Sequence, residues 1–332
     1  MQQGMLSSVL LSLFLALGMP HAMATQMSPE RVELWRQSDH MQSKVAELLQ
    51  YAMEDNIDSL NFSLERLAFP QQEVARFQLL HKFEQQQILL TPKMALFVEQ
   101  QKSMVPTYQV LERGDGYEFT TPAFNYPAIA SRLLKRWQQD QSTLDFVLQA
   151  ERKELELLPW LTEGSDYQAQ TREKLLIREL DSLSPEAVAS MTDQLTKESV
   201  VSWLPSAEVM VRLAQVSEDA EVYKLVWLMK ANHYSENELV RLANVADGFA
   251  VEQLMQAASN PSLNELAIKQ LVSIKPMTAN IEEFLIERMG SNDDAHFVAR
   301  QLAAQGYSTW LAELASSDNR VKSRHILNAL GQ

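Results

Sequence analysis

The sequence predicts a mainly all-α fold, in which a helical N-terminal domain with one β-hairpin precedes a stack of short helices. Three observations carry this. Only 9 glycines and 12 prolines punctuate 332 residues, and helix-forming Leu, Ala, Gln, Glu and Met dominate. Helix starts are marked by a capping side chain before proline at Ser28-Pro29-Glu30, Thr91-Pro92, Ser184-Pro185-Glu186 and Asn260-Pro261, with a capping box at Ser235-Glu236-Asn237-Glu238. Proline costs nothing at a first helical position, because that N–H has no partner within the helix. The third observation is apolar spacing: Leu239, Leu242, Ala243 and Ala246, then Leu263, Leu266, Ala267, Leu271 and Ile274, then Ala295, Val298, Ala299, Leu302 and Ala303 each fall on one helical face.

Taken in order, residues 1–24 contain no Asp, Glu, Lys or Arg. An apolar run from Leu6 to Leu17 is followed by Gly18, Pro20 and the small-residue pattern Ala22-Met23-Ala24, which predicts a signal peptide cut before Thr25. The run is shorter than the roughly 20 residues a membrane span needs, so no integral membrane segment is expected after cleavage. The mature protein is expected in the periplasm, or secreted. The chain has no cysteine, which excludes disulfides, thiolate metal sites and a lipid-bearing cysteine at the cleavage point.

Residues 25–162 are expected to form the N-terminal domain, with helices at 29–54, 57–67, 70–89, 92–102, 127–139 and 141–157. Between them, residues 107–120, TYQVLERGDGYEFT, are rich in β-formers around Gly114-Asp115-Gly116 and predict a hairpin, since Asp-Gly supplies the positive-φ positions of a tight turn. A lone hairpin is not stable in water, so it must dock on neighbouring helices or be completed by a partner strand.

Residues 163–332 carry helices of about 10 to 14 residues joined by short turns. Here the last segment, Ser317-Asp318-Asn319-Arg320-Val321-Lys322-Ser323-Arg324-His325-Ile326-Leu327-Asn328-Ala329-Leu330-Gly331, resembles the second helix of a HEAT repeat, with an Asp turn, a Val-basic pair and a closing Ala-Leu-Gly. Weaker echoes lie at Asn292–Ala303 and Asn260–Ile274, with starts about 26 to 32 residues apart against a full period of roughly 40. The resemblance covers the C-terminal half only. It implies a HEAT-like α-solenoid and, by family tendency, a protein-binding scaffold; the family has no binding motif to carry over.

No catalytic, cofactor-binding or metal-ligating constellation is found. His40, His81, His233, His296 and His325 are isolated, and Asn292-Asp293-Asp294 before His296 has the pattern of a helix N-terminus. Glu198-Ser199 and Leu254-Met255-Gln256 resemble fragments of lytic transglycosylases but are far apart in sequence. Gly-x-Ser-x-Gly elbows, P-loops and Gly-x-Gly-x-x-Gly turns are absent. A net charge of −14 disfavours nucleic acid and anionic lipid as partners.

Tyr223 with Trp227, and Tyr307 with Trp310, each about one helical turn apart, are the candidate partner-binding residues; the alternative, which the burial habits of aromatics favour, is that these rings fill the interface between repeats. The expectation is a non-catalytic scaffold holding a protein or peptide of the cell envelope. The alternative is an envelope glycan or peptide hydrolase, with paired carboxylates near the hairpin and Asn125-Tyr126-Pro127. Nothing in the sequence sets an oligomeric state.

Overall fold

The computed structural model describes residues 25–114, 117–197 and 203–331. The expected leader, the Asp115-Gly116 turn and Glu198-Ser199 lie outside the described residues. The chain is 72% helical, with 18 helices and one three-stranded sheet among the described residues, so it is mainly all-α with a hairpin, as the sequence predicts. It forms two compact units that part between Ser142 and Thr143.

The N-terminal unit opens with β1 (Thr25–Gln26), followed by α1 (Pro29–Gln37), α2 (Asp39–Met53), α3 (Ile57–Glu65), α4 (Phe69–Gln85) and α5 (Pro92–Ser103). The proline-marked starts form as expected. Ser28 accepts from Arg31 N at 3.3 Å and Thr91 from Met94 N at 3.2 Å. One helix was expected over 29–54; the chain breaks at Ser38, whose backbone is extended. The reason is phase. At 3.6 residues per turn, Val32 and Met41 would lie on opposite faces of an unbroken helix, yet both are buried in one core. Conversely, the helices expected at 127–139 and 141–157 run together as α6 (Tyr126–Glu151), and Asp140 pairs within the helix with Arg136 at 4.0 Å instead of capping a new one.

The hairpin is β2 (Tyr108–Gly114) against β3 (Tyr117–Pro122), antiparallel from Gln109↔Pro122 to Gly114↔Tyr117. Both completions that the isolated hairpin needed are present. Tyr108 and Val110 pack on the helical core, and β1 adds a parallel strand to β2 at Thr25↔Tyr108 and Gln26↔Gln109.

In the C-terminal unit, the end of α6 (Phe146, Ala150) shares a core with Leu155, Leu157, Leu161 and Leu176, which is why the units part inside α6 and not near residue 163. Then come α7 (Leu157–Thr162), α8 (Asp166–Glu179), α9 (Pro185–Thr196), α10 (Ala207–Ser217), α11 (Ala220–Leu228), α12 (His233–Val245), α13 (Gly248–Ala257), α14 (Asn264–Ser273), α15 (Ala279–Met289), α16 (Ala295–Ala304), α17 (Ser308–Ser317) and α18 (Ser323–Ala329). Alternate helices α8, α10, α12, α14, α16 and α18 pack each on the next, while α9, α11 and α13 form a second row against them. Each helix thus buries its apolar face on neighbours in sequence, the arrangement of a helical-repeat array.

Backbone carbonyls at the ends of successive helix pairs are tied by a recurring long-range bond. Asn260 Nδ2 donates to Trp227 O at 2.8 Å, 33 residues back. Arg288 Nη2 donates to Ala258 O at 2.8 Å, 30 residues back. Lys322 N donates to Met289 O at 2.9 Å. Asn260 is therefore a tie between repeats, and the helix expected to start there begins at Asn264. Asp294, expected to act at a helix N-terminus, occupies the position before α16 but makes no side-chain cap; it pairs with Arg288 at 3.2 Å and accepts from Asn264 at 2.8 Å.

Gly290 follows α15 where a Cβ would stand 2.8 Å from Arg320 O and 3.0 Å from Glu287 O, both backbone atoms. Gly290→Ala is expected to destabilise the C-terminal unit by about 1–3 kcal/mol, the usual cost of forcing an extra methyl into a packed contact, measured by urea unfolding of the full chain.

Candidate functional site

The local sequence that places Tyr223 and Trp227 is short and well capped. Asp219 accepts from Glu221 N at 2.8 Å and starts α11, which then presents Val222, Tyr223, Val226 and Trp227 to the core. Tyr223 is 0% exposed, its ring 5.7 Å from Trp227 and 5.7 Å edge-on from Phe249. With no surface of its own, Tyr223 holds repeats together; the expectation that it contacts a partner meets a ring wholly inside the core. Tyr307 and Trp310, at the start of α17, are half-buried against the same core and meet edge-to-face at 6.4 Å. No ring contact among the described residues joins the two pairs.

Trp227 is 4% exposed and lies at the wall of a cavity of about 490 Å³. Ala220, Glu221, Lys224 and Leu228 of α11 form one side, and Gln256, Ser259, Asn260 and Pro261 form the other. Leu228 is 76% exposed at its rim. Glu221 and Lys224 pair with each other at 3.4 Å, so the groove is apolar at Leu228 and Pro261 and close to neutral along its edge. Such a surface suits the apolar side chain of an extended or helical segment, with the tie from Asn260 to Trp227 O holding its two walls in register.

Beneath the groove is a buried polar cluster that sequence reasoning missed. Glu238 is 1% exposed in α12. Its carboxylate accepts from Tyr223 Oη at 2.7 Å, Gln215 Nε2 at 2.6 Å, and Arg241 Nη2 and Nε at 2.7 and 2.9 Å. Arg241 also donates to Tyr223 Oη at 3.0 Å. The expected capping box had assigned Glu238 to a helix terminus. The true cap is Asn232, whose Oδ1 accepts from Tyr234 N at 2.9 Å and whose backbone N–H donates back to Ser235 Oγ at 3.0 Å, so Glu238 falls a turn inside α12 on its core face. The available signal was its place three residues before Arg241, the spacing of a helical ion pair.

Burial, and then the bond to Glu238, pushes the Tyr223 phenol well above its ordinary range; the bond to Glu238 pushes the Arg241 guanidinium up. Elsewhere the displaced carboxylates, Glu30, Glu84, Glu151 and Asp318, are all lowered, each first by a hydrogen bond it accepts. A general acid needs the opposite shift. Among the described residues no group of three His, Asp or Glu could hold a metal ion, and no helix is long and apolar enough to cross a membrane.

Removing one partner from a buried, fully bonded charge cluster leaves the rest uncompensated, so Glu238→Ala is expected to cost about 3–5 kcal/mol. Tyr223→Phe, which deletes one bond to a charged acceptor, is expected to cost about 1.5–3 kcal/mol. Both are checked by urea unfolding. The folded chain holds Tyr223 protonated, so its contribution is full below the ordinary tyrosine pKa of about 10 and is lost as pH rises above it, at about 1.4 kcal/mol per pH unit. Tyr223→Phe should remove that part of the alkaline slope. No protein-family model, curated protein or solved structure matches the chain.

Proposed function

We propose that this protein is an exported, non-catalytic scaffold of HEAT-like repeats that loses residues 1–24 on export and binds a protein or peptide of the cell envelope. The observation that carries the reading is the groove beside Trp227, where Leu228, 76% exposed, stands next to Pro261 at the mouth of a cavity of about 490 Å³. A lone exposed leucine means little, but one at the rim of a concave, largely apolar groove fits a contact surface. The paired Glu221 and Lys224 leave the groove without a strong field, so recognition there runs through shape and apolar burial. The acidic balance of the chain is consistent with a protein partner and against a nucleic acid.

The test is retention of a partner from envelope extract of the host on immobilised residues 25–332, wild type against Leu228→Asp. A charge in the groove should weaken retention of the specific partner at least tenfold, about 1.4 kcal/mol, while helicity stays unchanged. Equal retention by both proteins would remove the groove from the interface. Release of glycan or peptide fragments by the wild type would favour a hydrolase instead.

A further inference from the structure

The N-terminal unit has a cavity of its own, of about 530 Å³, between the start of α1, the strand β1 and Pro70 of α4. Its walls are largely apolar: Met27, Leu34, Trp35, Pro70 and Tyr108. Met27, Trp35 and Tyr108 are packed on the helical core, whereas Leu34 is 71% exposed and Phe69, beside Pro70, is 76% exposed. Two polar features open on the same cavity.

The first is the exposed Arg31. The other arginines of this unit are engaged: Arg36, Arg113, Arg132 and Arg136 with carboxylates, Arg66 over the Phe62 ring, and Arg76 with Gln101 and Gln72. Among the described residues the Arg31 guanidinium has no such partner. Its neighbours one turn along α1 are Leu34 and Trp35, both uncharged. Of the carboxylates closest to it in sequence, Glu30 accepts from Ser28, and Glu33 accepts from Gln37 Nε2 at 2.6 Å. Arg31 also stands in the first turn of α1, where the helix dipole disfavours a cation, so helix stability does not account for it.

The second feature is the edge of the sheet, where β1 is an outer strand. Thr25 N donates to Thr107 O at 3.2 Å and Met27 N to Gln109 O at 2.8 Å, so Gln26 between them turns its own N–H and C=O away from β2. Gln26 lines the cavity, and such edge groups are open to pairing with a further chain.

We propose that this cavity docks an extended peptide of a partner protein that carries Asp or Glu close to a large apolar side chain. The carboxylate pairs with Arg31, the apolar side chain is buried between Leu34 and Pro70, and one peptide unit bonds to the backbone of Gln26. A single cation matches a single carboxylate, and an N–H beside a C=O calls for a polypeptide backbone, so the chemistry suits a peptide better than a polyanion or a lipid surface. On a chain of net charge −14, a cation without an internal partner is a point of attraction for an acidic segment. The site lies within the N-terminal unit, and its occupant is not required to be that of the Trp227 groove.

The probe is a phage-displayed pool of random seven-residue peptides without cysteine, panned on the immobilised protein as its host produces it. Recovered peptides are synthesised with amidated C-termini, so that any carboxylate is a side chain. They are titrated by fluorescence anisotropy against the wild type, Arg31→Glu, Leu34→Asp and Leu228→Asp. Arg31 is exposed and an acid is favoured in a first helical turn, so Arg31→Glu is expected to keep its fold, checked by circular dichroism. A set of peptides enriched in Asp or Glu is expected to bind Arg31→Glu and Leu34→Asp at least tenfold more weakly than the wild type, and to bind Leu228→Asp as the wild type does. If no acidic peptide weakens on Arg31→Glu, the proposal is overturned. Recovery of no peptide above an unrelated immobilised protein overturns it as well, whether or not phosphatidylglycerol vesicles bind instead. Peptides lost only in Leu228→Asp overturn it while supporting the groove of the C-terminal unit.

Discussion

The structure of the C-terminal unit depends on one constraint: among the described residues, no helix confined to it is large enough to bury its apolar face alone. Helices such as α13, Gly248–Ala257, are short, and isolated helices of fewer than about 12–15 residues are marginal in water. Stability therefore comes from contact with the next helix and the next but one, and Leu239, Leu254, Leu271, Leu285 and Leu302 are all fully buried on that account. A stack built this way has a weakness. Leucine and alanine pack almost as well after a slide of one turn, so apolar burial alone leaves the register between repeats poorly defined.

Polar ties supply the register. The carbonyls of Trp227, Ala258 and Met289 each receive a bond from roughly one repeat further along, and each donor has its geometry fixed by its own surroundings. Asn260 is a clear example: its Oδ1 accepts from Ser262 N at 2.9 Å while its Nδ2 reaches back to α11. Glu238 does the same between α10, α11 and α12 through Gln215, Tyr223 and Arg241. A carboxylate that gathers donors from three helices admits one arrangement, because any slide leaves a buried charge partly unbonded. In the N-terminal unit Glu73 has the comparable task of tying α4 to the segment entering β2.

This division explains what could be seen in the sequence. Helix periodicity and proline-marked caps at Ser28, Thr91 and Ser184 depend on neighbours a few residues away, and those elements formed where expected. Asn260 carried the same local signature, yet its amide is used 33 residues back, and no local rule distinguishes the two uses. The break at Ser38 and the continuity through Asp140 turn on which face meets the core, a tertiary fact. β1, only two residues long, exists because β2 offers an edge to it. At the candidate site the burial habits of aromatics favoured a core place for these rings; the aromatic spacing found Trp227 as a contact candidate but did not separate its depth from that of Tyr223. It counted Tyr223 with it, although one ring lies at a cavity wall and the other has no exposed surface. Leu228, the exposed residue that gives the groove its character, is indistinguishable in sequence from the buried leucines around it.

The rigidity of the array and the character of the groove have a common origin. Trp227 is held from inside by Tyr223, whose hydroxyl is fixed by Glu238, and from outside by the Asn260 bond to its carbonyl. The groove wall beside Trp227 is therefore fixed by the fold itself, and under the proposed function little side-chain entropy would remain to be lost there on binding. An exposed leucine on a rigid wall gains the full benefit of burying apolar area, about 25 cal/mol per Å², with little ordering cost to offset it. The buried polar network that fixes the repeats thus also fixes the wall of the groove, and under the proposed function it would supply by shape the selectivity that the weak charge there does not.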